Sequence, residues 1–250
     1  MPNTLITLSN HILRIQFNRP QKKNALTPAM YDALREAIER ANDDTSIHVI
    51  TLTGSGDSFC AGNDLNTFLS DPGSDAAARF IMAIAAAQTP IVAAVNGVAV
   101  GVGVTMLLHC DLVYAAEDAK FNFAFIDLGL LPEAASTYLL PRMLGYTGAA
   151  ELLMLGEAFT ADKACECGIV NQVVKADALA DLAQSKAAQL AEKPPEALRQ
   201  TKMLLRRGSA KAVEETMALE LGLIGERLVS DEVRGIMQAF FERRGQADAS

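Results

Sequence analysis

NGVAVGVGVTMLL, residues 96–108, is the stretch on which the fold turns. It follows the apolar run PIVAAV (90–95), so it reads as the end of a buried strand, a glycine turn and an apolar helix beginning near Val102. A dinucleotide-binding fingerprint fails here, because Gly101-x-Gly103 needs a third glycine at 106 and the chain has Met106. A P-loop fails too, since no Gly-Lys-Ser/Thr is present. What is left is a helix start whose first amides have no partner inside the helix and face whatever lies beyond. Such a terminus stabilises a developing negative charge. The glycines also have a plainer reading, close packing of helix on strand, and the stretch alone leaves both open.

Outward from this turn the chain alternates strands with helices. HVITLTGSG (48–56) and DLVYAAE (111–117) are further buried strands, and ITLSNHILRIQFNRP (6–20) is a pair of strands around a turn at Ser9-Asn10. LTPAMYDALREAIERAND (26–43) is a helix with Thr27 as N-cap and Pro28 at its first position. Met30, Ala33, Leu34, Ala37 and Ile38 line its apolar face. The pattern predicts an α/β architecture with parallel sheet. After about Val174 it changes to helices over 177–192, 196–207, 210–229 and 231–243, separated by Pro194-Pro195, Gly208 and Ser230-Asp231. The expected division is an α/β core over 1–193 and a helical region over 194–250.

Composition narrows the function classes. With 30 acidic against 22 basic side chains and a net charge of −8 over 250 residues, a nucleic-acid surface is not expected. Cys60, Cys110, Cys165 and Cys167 form no CxxC pair and suit a reducing compartment; Cys165-x-Cys167 has no second ligand pair, so no metal is expected. MPNTLITLSN lacks the pattern of a signal peptide, QADAS is not a peroxisomal address, and Asn96, Gly97 and His109 interrupt the longest apolar runs. The expected location is cytoplasmic, with no membrane partner.

Three places can carry chemistry. GSGDSFCAGNDL (54–65) is a second glycine turn between a strand and a short helix, with Asp64 placed as N-cap and the Ala61 amide free in a tight turn. Two free amides from separate turns, Ala61 and Val102, make an oxyanion hole that neither motif establishes singly. LGLLPEAAST (128–137) sets Glu133 in apolar company with no evident ion partner, so it either points to water or has a job. Arg19, Lys22 and Lys23 form the one basic cluster near these motifs, suited to phosphates or to a solvated loop. Asp127 reads as a helix cap or ion-pair residue and His109 as a packing residue. The run Lys202, Arg206, Arg207 and Lys211 reads as a solvated helix face.

RPQKKNAL (19–26), FCAGNDL (59–65), NGVAVGVG (96–103) and CDLVYA (110–115) together resemble the crotonase, or enoyl-CoA hydratase/isomerase, superfamily, in order and over nearly the whole chain. The resemblance implies a crotonase-like spiral of ββα units with a helical C-terminal trimerisation region, as a trimer or a pair of trimers. It implies an acyl-CoA thioester as substrate and no separate cofactor, coenzyme A being part of the substrate. The amides of Ala61 and Val102 would hold the thioester oxygen as an enolate forms; many relatives have glycine where Val102 stands. Substrate contacts are implied for Lys22, Lys23, Ala25, Gly62, Asp64, Leu65, Gly101 and Phe125.

The departures from the family pattern carry the functional expectation. The two glutamates that hydratases of this superfamily use fall on Thr105 and Phe125, which cannot act as carboxylate bases. The monofunctional 3,2-enoyl-CoA isomerases carry one glutamate in an LGxxPE pattern, and LGLLPE places Glu133 on it. SDEVRGIMQAFF (230–241) is also similar to that branch. The expectation is an isomerase that shifts a 3-enoyl-CoA double bond to the 2-trans position in fatty acid β-oxidation. A hydratase, another crotonase-type reaction using Glu133 such as isomerisation of a ring-bearing acyl-CoA, and a non-catalytic acyl-CoA-binding paralogue are the alternatives. Met217, Leu219, Leu221, Leu223, Ile224, Ile236, Met237, Phe240 and Phe241 exceed what one helical layer can bury, so a homo-oligomer is expected, with Phe240, Phe241 and Arg243 at a subunit interface.

Overall fold

Two sheets share the strands in turn. The structure, a computed structural model, describes residues 1–65 and 74–247, without the side chains of residue 241 and residues 243–247. Strands β1 (Thr4–Ser9) and β2 (Ile12–Phe17) form an antiparallel hairpin whose turn, Asn10-His11, has φ of 50° and 63°. β3 (Val49–Gly54), β5 (Ile91–Val95), β7 (Leu112–Ala116) and β10 (Gln172–Val174) continue that sheet in parallel, in the order β1-β2-β3-β5-β7-β10. A second sheet runs β4 (Ser58–Cys60), β6 (Val98–Val100), β8 (Lys120–Asn122) and β9 (Phe159–Thr160). Each of β3–β4, β5–β6 and β7–β8 thus gives one strand to each sheet, which makes the repeating unit of the spiral.

Glycine makes the corners. A Cβ on Gly97, between β5 and β6, would lie 2.0 Å from the Asp57 carbonyl oxygen, so no other residue fits. β5 is buried at all five positions, as a parallel strand covered on both faces should be. One face is covered by α6 (Ala176–Ala191), whose Leu179, Ala183 and Ala187 pack on Val49, Val92 and Tyr114. The other face holds the main core with α1 (Pro28–Asp43) and α2 (Ala76–Ala85). Thr27 caps α1 as expected, its hydroxyl accepting from the Met30 N–H at 3.4 Å. The buried face includes Tyr31, which the sequence pattern did not mark, and takes in Ala33 only in part.

The short α3 (Val102–Thr105) follows the glycine turn and passes into a 3-10 turn, Met106–His109. α4 (Ser136–Leu155) is broken at Gly145, with φ 75° and ψ 165°; α5 (Ala161–Glu166) leads back toward β10. Then come α7 (Pro195–Arg207), α8 (Ala210–Leu228) and α9 (Asp231–Ala247). Among the described residues no helix is long and apolar enough to cross a membrane.

Two sequence expectations for these helices need correction. Arg207 and Lys211 are exposed, but Lys202 and Arg206 are not a solvated face. Lys202 is buried, its Nζ donating to Asp111 Oδ2 at 2.7 Å and to the Thr89 carbonyl at 2.9 Å, and Arg206 pairs with Asp111 Oδ1 at 3.5 Å. Of the apolar residues set aside for subunit contacts, Met217, Met237 and Val233 beside them are buried within the chain, while Leu219 and Leu223 are exposed. Phe241 and Arg243 lie outside the described side chains.

Candidate active site

Glu133 is the centre of the site. It follows Pro132 and precedes Ala134 and Ala135, which hold left-handed φ values of 59° and 53° just before α4. The carboxylate is 7% exposed and accepts from the Thr105 hydroxyl at 3.4 Å; among the described residues it has no cation partner. Burial, the nearby charge of Glu220 and only partial compensation from Thr105 push its pKa up to about 7. A carboxylate poised there can take up and return a proton near neutral pH.

Its neighbours come from several elements. Thr105 is on α3, one turn beyond Val102. Tyr31, on α1, is buried deeply enough to hold its phenol neutral, and the Glu133 charge adds to that effect. The Tyr31 hydroxyl donates to Asn63 Oδ1 in the turn after β4. His109 is buried and stays neutral, its pKa pushed down to about 4 by burial; its Nε2 donates to the Ala134 carbonyl at 2.8 Å. It is a packing and turn-holding residue, as the sequence suggested.

The amide of Ala61 is not free. It donates to the Lys23 carbonyl at 2.9 Å, because the 19–26 turn, with Lys23 and Asn24 both left-handed, lies along the end of β4. The free donor lies two residues on, at Asn63. The Leu26 N–H donates to the Gly62 carbonyl and the Asp64 N–H to the Leu26 carbonyl, both at 2.8 Å, which pins the chain on either side of Asn63. Among the described residues the Asn63 N–H itself meets no acceptor, and neither does the Val102 N–H at the start of α3. The two turns touch: β4 and β6 are parallel neighbours, and a Cβ on Gly103 would lie 2.3 Å from the Cys60 carbonyl oxygen. Gly103 is therefore there for close approach, and the packing reading of the glycines and the free-amide reading are both realised.

The remaining predicted residues border this centre unevenly. Phe125 lies beside Gly101, its ring 3.9 Å from where a Cβ would be. Leu65 and Phe125 pack on the small cluster of Leu130, Val233 and Met237, so α9 covers this side of the site. Asp64 holds the Arg19 guanidinium at 2.5 Å, and the same guanidinium donates to the Ala25 carbonyl at 3.1 Å, which takes Arg19 out of the basic cluster. The capping role expected of Asp64 falls on a segment outside the described residues. Lys22 and Lys23 are exposed. Asp127 is exposed in the 3-10 turn Ile126–Leu128 and, among the described residues, makes neither a cap nor an ion pair. Sequence reasoning missed Asn63, Tyr31 and Glu220. Only Glu220 left a signal, as an acid inside the apolar stretch ALELGL (218–223). Among the described residues no group of His, Cys, Asp and Glu could hold a metal ion.

Comparison with known proteins agrees with this arrangement. Residues 7–247 match the family model described as enoyl-CoA hydratase/isomerase. The human enoyl-CoA delta isomerase 2 is 33% identical over 97% of this chain, which spans only 64% of that relative's length. The 2,3-dehydroadipyl-CoA hydratase of Escherichia coli K12 is 32% identical over 98% of this chain and 97% of its own. A crystal structure of an enoyl-CoA hydratase/isomerase from Pseudoalteromonas atlantica T6c superposes with a TM-score of 0.93 at 41% identity, covering 97% of this chain and 98% of that one. The two-sheet spiral, its motifs and its helical C-terminal region are those of one family: the chain belongs to the enoyl-CoA hydratase/isomerase family.

Proposed function

We propose that this protein is an enoyl-CoA isomerase that shifts the double bond of a 3-enoyl-CoA to the 2-position, with Glu133 as the single acid–base group. The observation that carries this reading is one buried carboxylate, raised to about 7, facing Thr105 where a second carboxylate would otherwise stand. Glu133 takes the C2 proton, and the electron pair moves into a dienolate whose negative oxygen the Asn63 and Val102 N–H groups receive. The protonated Glu133 then delivers its proton to C4, leaving the double bond between C2 and C3. Each such oxyanion donor is worth roughly 10²–10³ in rate. Water activation would need a second base, and Thr105 and Phe125 supply none.

The kinship to an isomerase and a hydratase at similar identity makes hydration the rival reaction. Purified protein offered 3-enoyl-CoA and 2-enoyl-CoA separately decides between them. Consumption of the 3-enoyl thioester with 2-enoyl product supports the isomerase. Vigorous hydration of the 2-enoyl thioester, lost in Glu133→Gln, would move the assignment to hydratase. The C-terminal helices, with Leu219 and Leu223 exposed on α8, suit a homo-oligomer of trimeric type; sedimentation of the intact protein as a clean, fully active monomer would sink that part.

A further inference from the structure

Glu220 on α8 is 5% exposed and, among the described residues, faces no cation. A buried carboxylate left this way is costly unless its oxygens are satisfied. They are. Oε2 accepts from the Ala135 N–H at 2.7 Å, and Oε1 accepts from the Thr137 N–H at 3.2 Å and the Thr137 hydroxyl at 2.6 Å. These donors open α4, whose N-cap residue, Ala135, has no side chain able to cap. A carboxylate 85 residues further along the chain therefore does the capping, and the positive end of the helix suits its charge.

What Glu220 holds is the segment that carries Glu133. Ala134 and Ala135 are both in the left-handed region, a strained conformation for an alanine that persists only where surrounding contacts enforce it. His109 grips the Ala134 carbonyl from one side, and the Ser136 N–H closes onto the Glu133 carbonyl at 3.0 Å. Glu220 grips the other side. We propose that Glu220 is a positioning residue for proton transfer by Glu133: its three hydrogen bonds hold the left-handed turn at Ala134-Ala135, and that turn fixes where the Glu133 carboxylate sits. This rests on Glu133 being the base.

The residue type is explained by the same geometry. Three donors converge on two oxygens, and only a carboxylate offers two acceptors; glutamine would turn an NH₂ toward an N–H or a hydroxyl. The charge has a second effect. After burial, the Glu220 carboxylate is the largest influence raising Glu133, so it keeps the base avid for the C2 proton. Among the described residues the ionisable groups around the pair are Tyr31 and His109, and both stay neutral near neutral pH.

The test compares intact wild type with Glu220→Gln, Thr137→Val and Glu133→Gln, measuring kcat, KM and the pH dependence of kcat/KM with 3-enoyl-CoA. Glu220→Gln is expected to lower kcat by about tenfold or more with KM nearly unchanged, the cost of a slightly misplaced base. Its acid limb should move to lower pH, a change that a purely structural cap would not cause. Thr137→Val removes the hydroxyl bond but no charge, and should lower kcat about threefold with the limb in place. Wild-type kcat and limb in both variants, or a loss of thermal stability alone, would overturn the proposal. Near-native turnover of Glu133→Gln would instead remove the base itself, a failure of the functional reading that the Glu220 and Thr137 variants cannot mimic.

Discussion

Two of the places where the protein buries charge treat it in opposite ways. Under α7, Lys202 and Arg206 converge on Asp111, and Arg199 donates to the carbonyls of Ala41 and Asn42. Lys202 is pushed down to about 8 by burial, yet its pairing with Asp111 works the other way and keeps it a cation at neutral pH. Glu133 is nearly as buried as Lys202, but among the described residues its carboxylate has only a 3.4 Å hydrogen bond from the Thr105 hydroxyl. The paired charges tie a helix to the starts of β5 and β7. The unpaired one is left able to exchange a proton, which makes it chemistry rather than architecture.

Breaking the two regions should have opposite consequences. Glu133→Gln removes the proposed base while keeping shape, and turnover of 3-enoyl-CoA is expected to fall roughly 10³-fold with acyl-CoA binding nearly intact, checked by kcat and by a binding titration. Asp111→Ala leaves Lys202 buried without its partner. It should cost about 3–5 kcal/mol in denaturant unfolding, with kcat of the folded fraction unchanged.

The same Glu133→Gln protein should be more stable than wild type, but only at higher pH. The folded-state pKa of about 7 lies above the ordinary carboxylate value of 4.5, so ionising Glu133 in place destabilises the fold. That penalty is absent below the unfolded value and grows until pH passes the folded one. By linkage it reaches at most about 3 kcal/mol above neutrality. Melting curves at acid and alkaline pH should therefore coincide and diverge respectively; equal stabilisation at both would show that charge is not the cause. The smallest effect sharpens the contrast. Thr105→Val removes the hydrogen bond that, among the described residues, lowers the Glu133 pKa, worth about 1 kcal/mol, so the acid limb of kcat/KM should shift to higher pH, opposite to Glu220→Gln.

Local signals told more than distant ones. The buried runs at 48–56, 90–95 and 111–117 became β3, β5 and β7, and Thr27-Pro28 opened α1, because pattern and capping act within a few residues. Glu133 was legible from its own setting and from the LGLLPE pattern. The Ala61 amide was misassigned because which N–H stays free depends on the Lys23 carbonyl, 38 positions earlier by residue number, reaching the turn. Lys202 and Arg206 looked like a solvated stripe because their spacing is that of an exposed helix face, and Asp111 is 91 residues from Lys202. Glu220 showed only as an acid in an apolar stretch, because the N–H groups it caps lie 85 and 83 residues away.

The contacts of α8 and α9 with the Glu133 segment also set an order of events during synthesis. A chain emerges from the ribosome N-terminus first and tends to fold in units as it appears. The last described strand, β10, ends at Val174, so both sheets can close while Glu220, Val233 and Met237 are still to come. At that stage the Glu133 segment lacks the carboxylate that caps α4 and the helix that covers Leu130. A nascent chain can therefore close its sheets before the segment carrying Glu133 is held in place, and that hold arrives with α8 and α9.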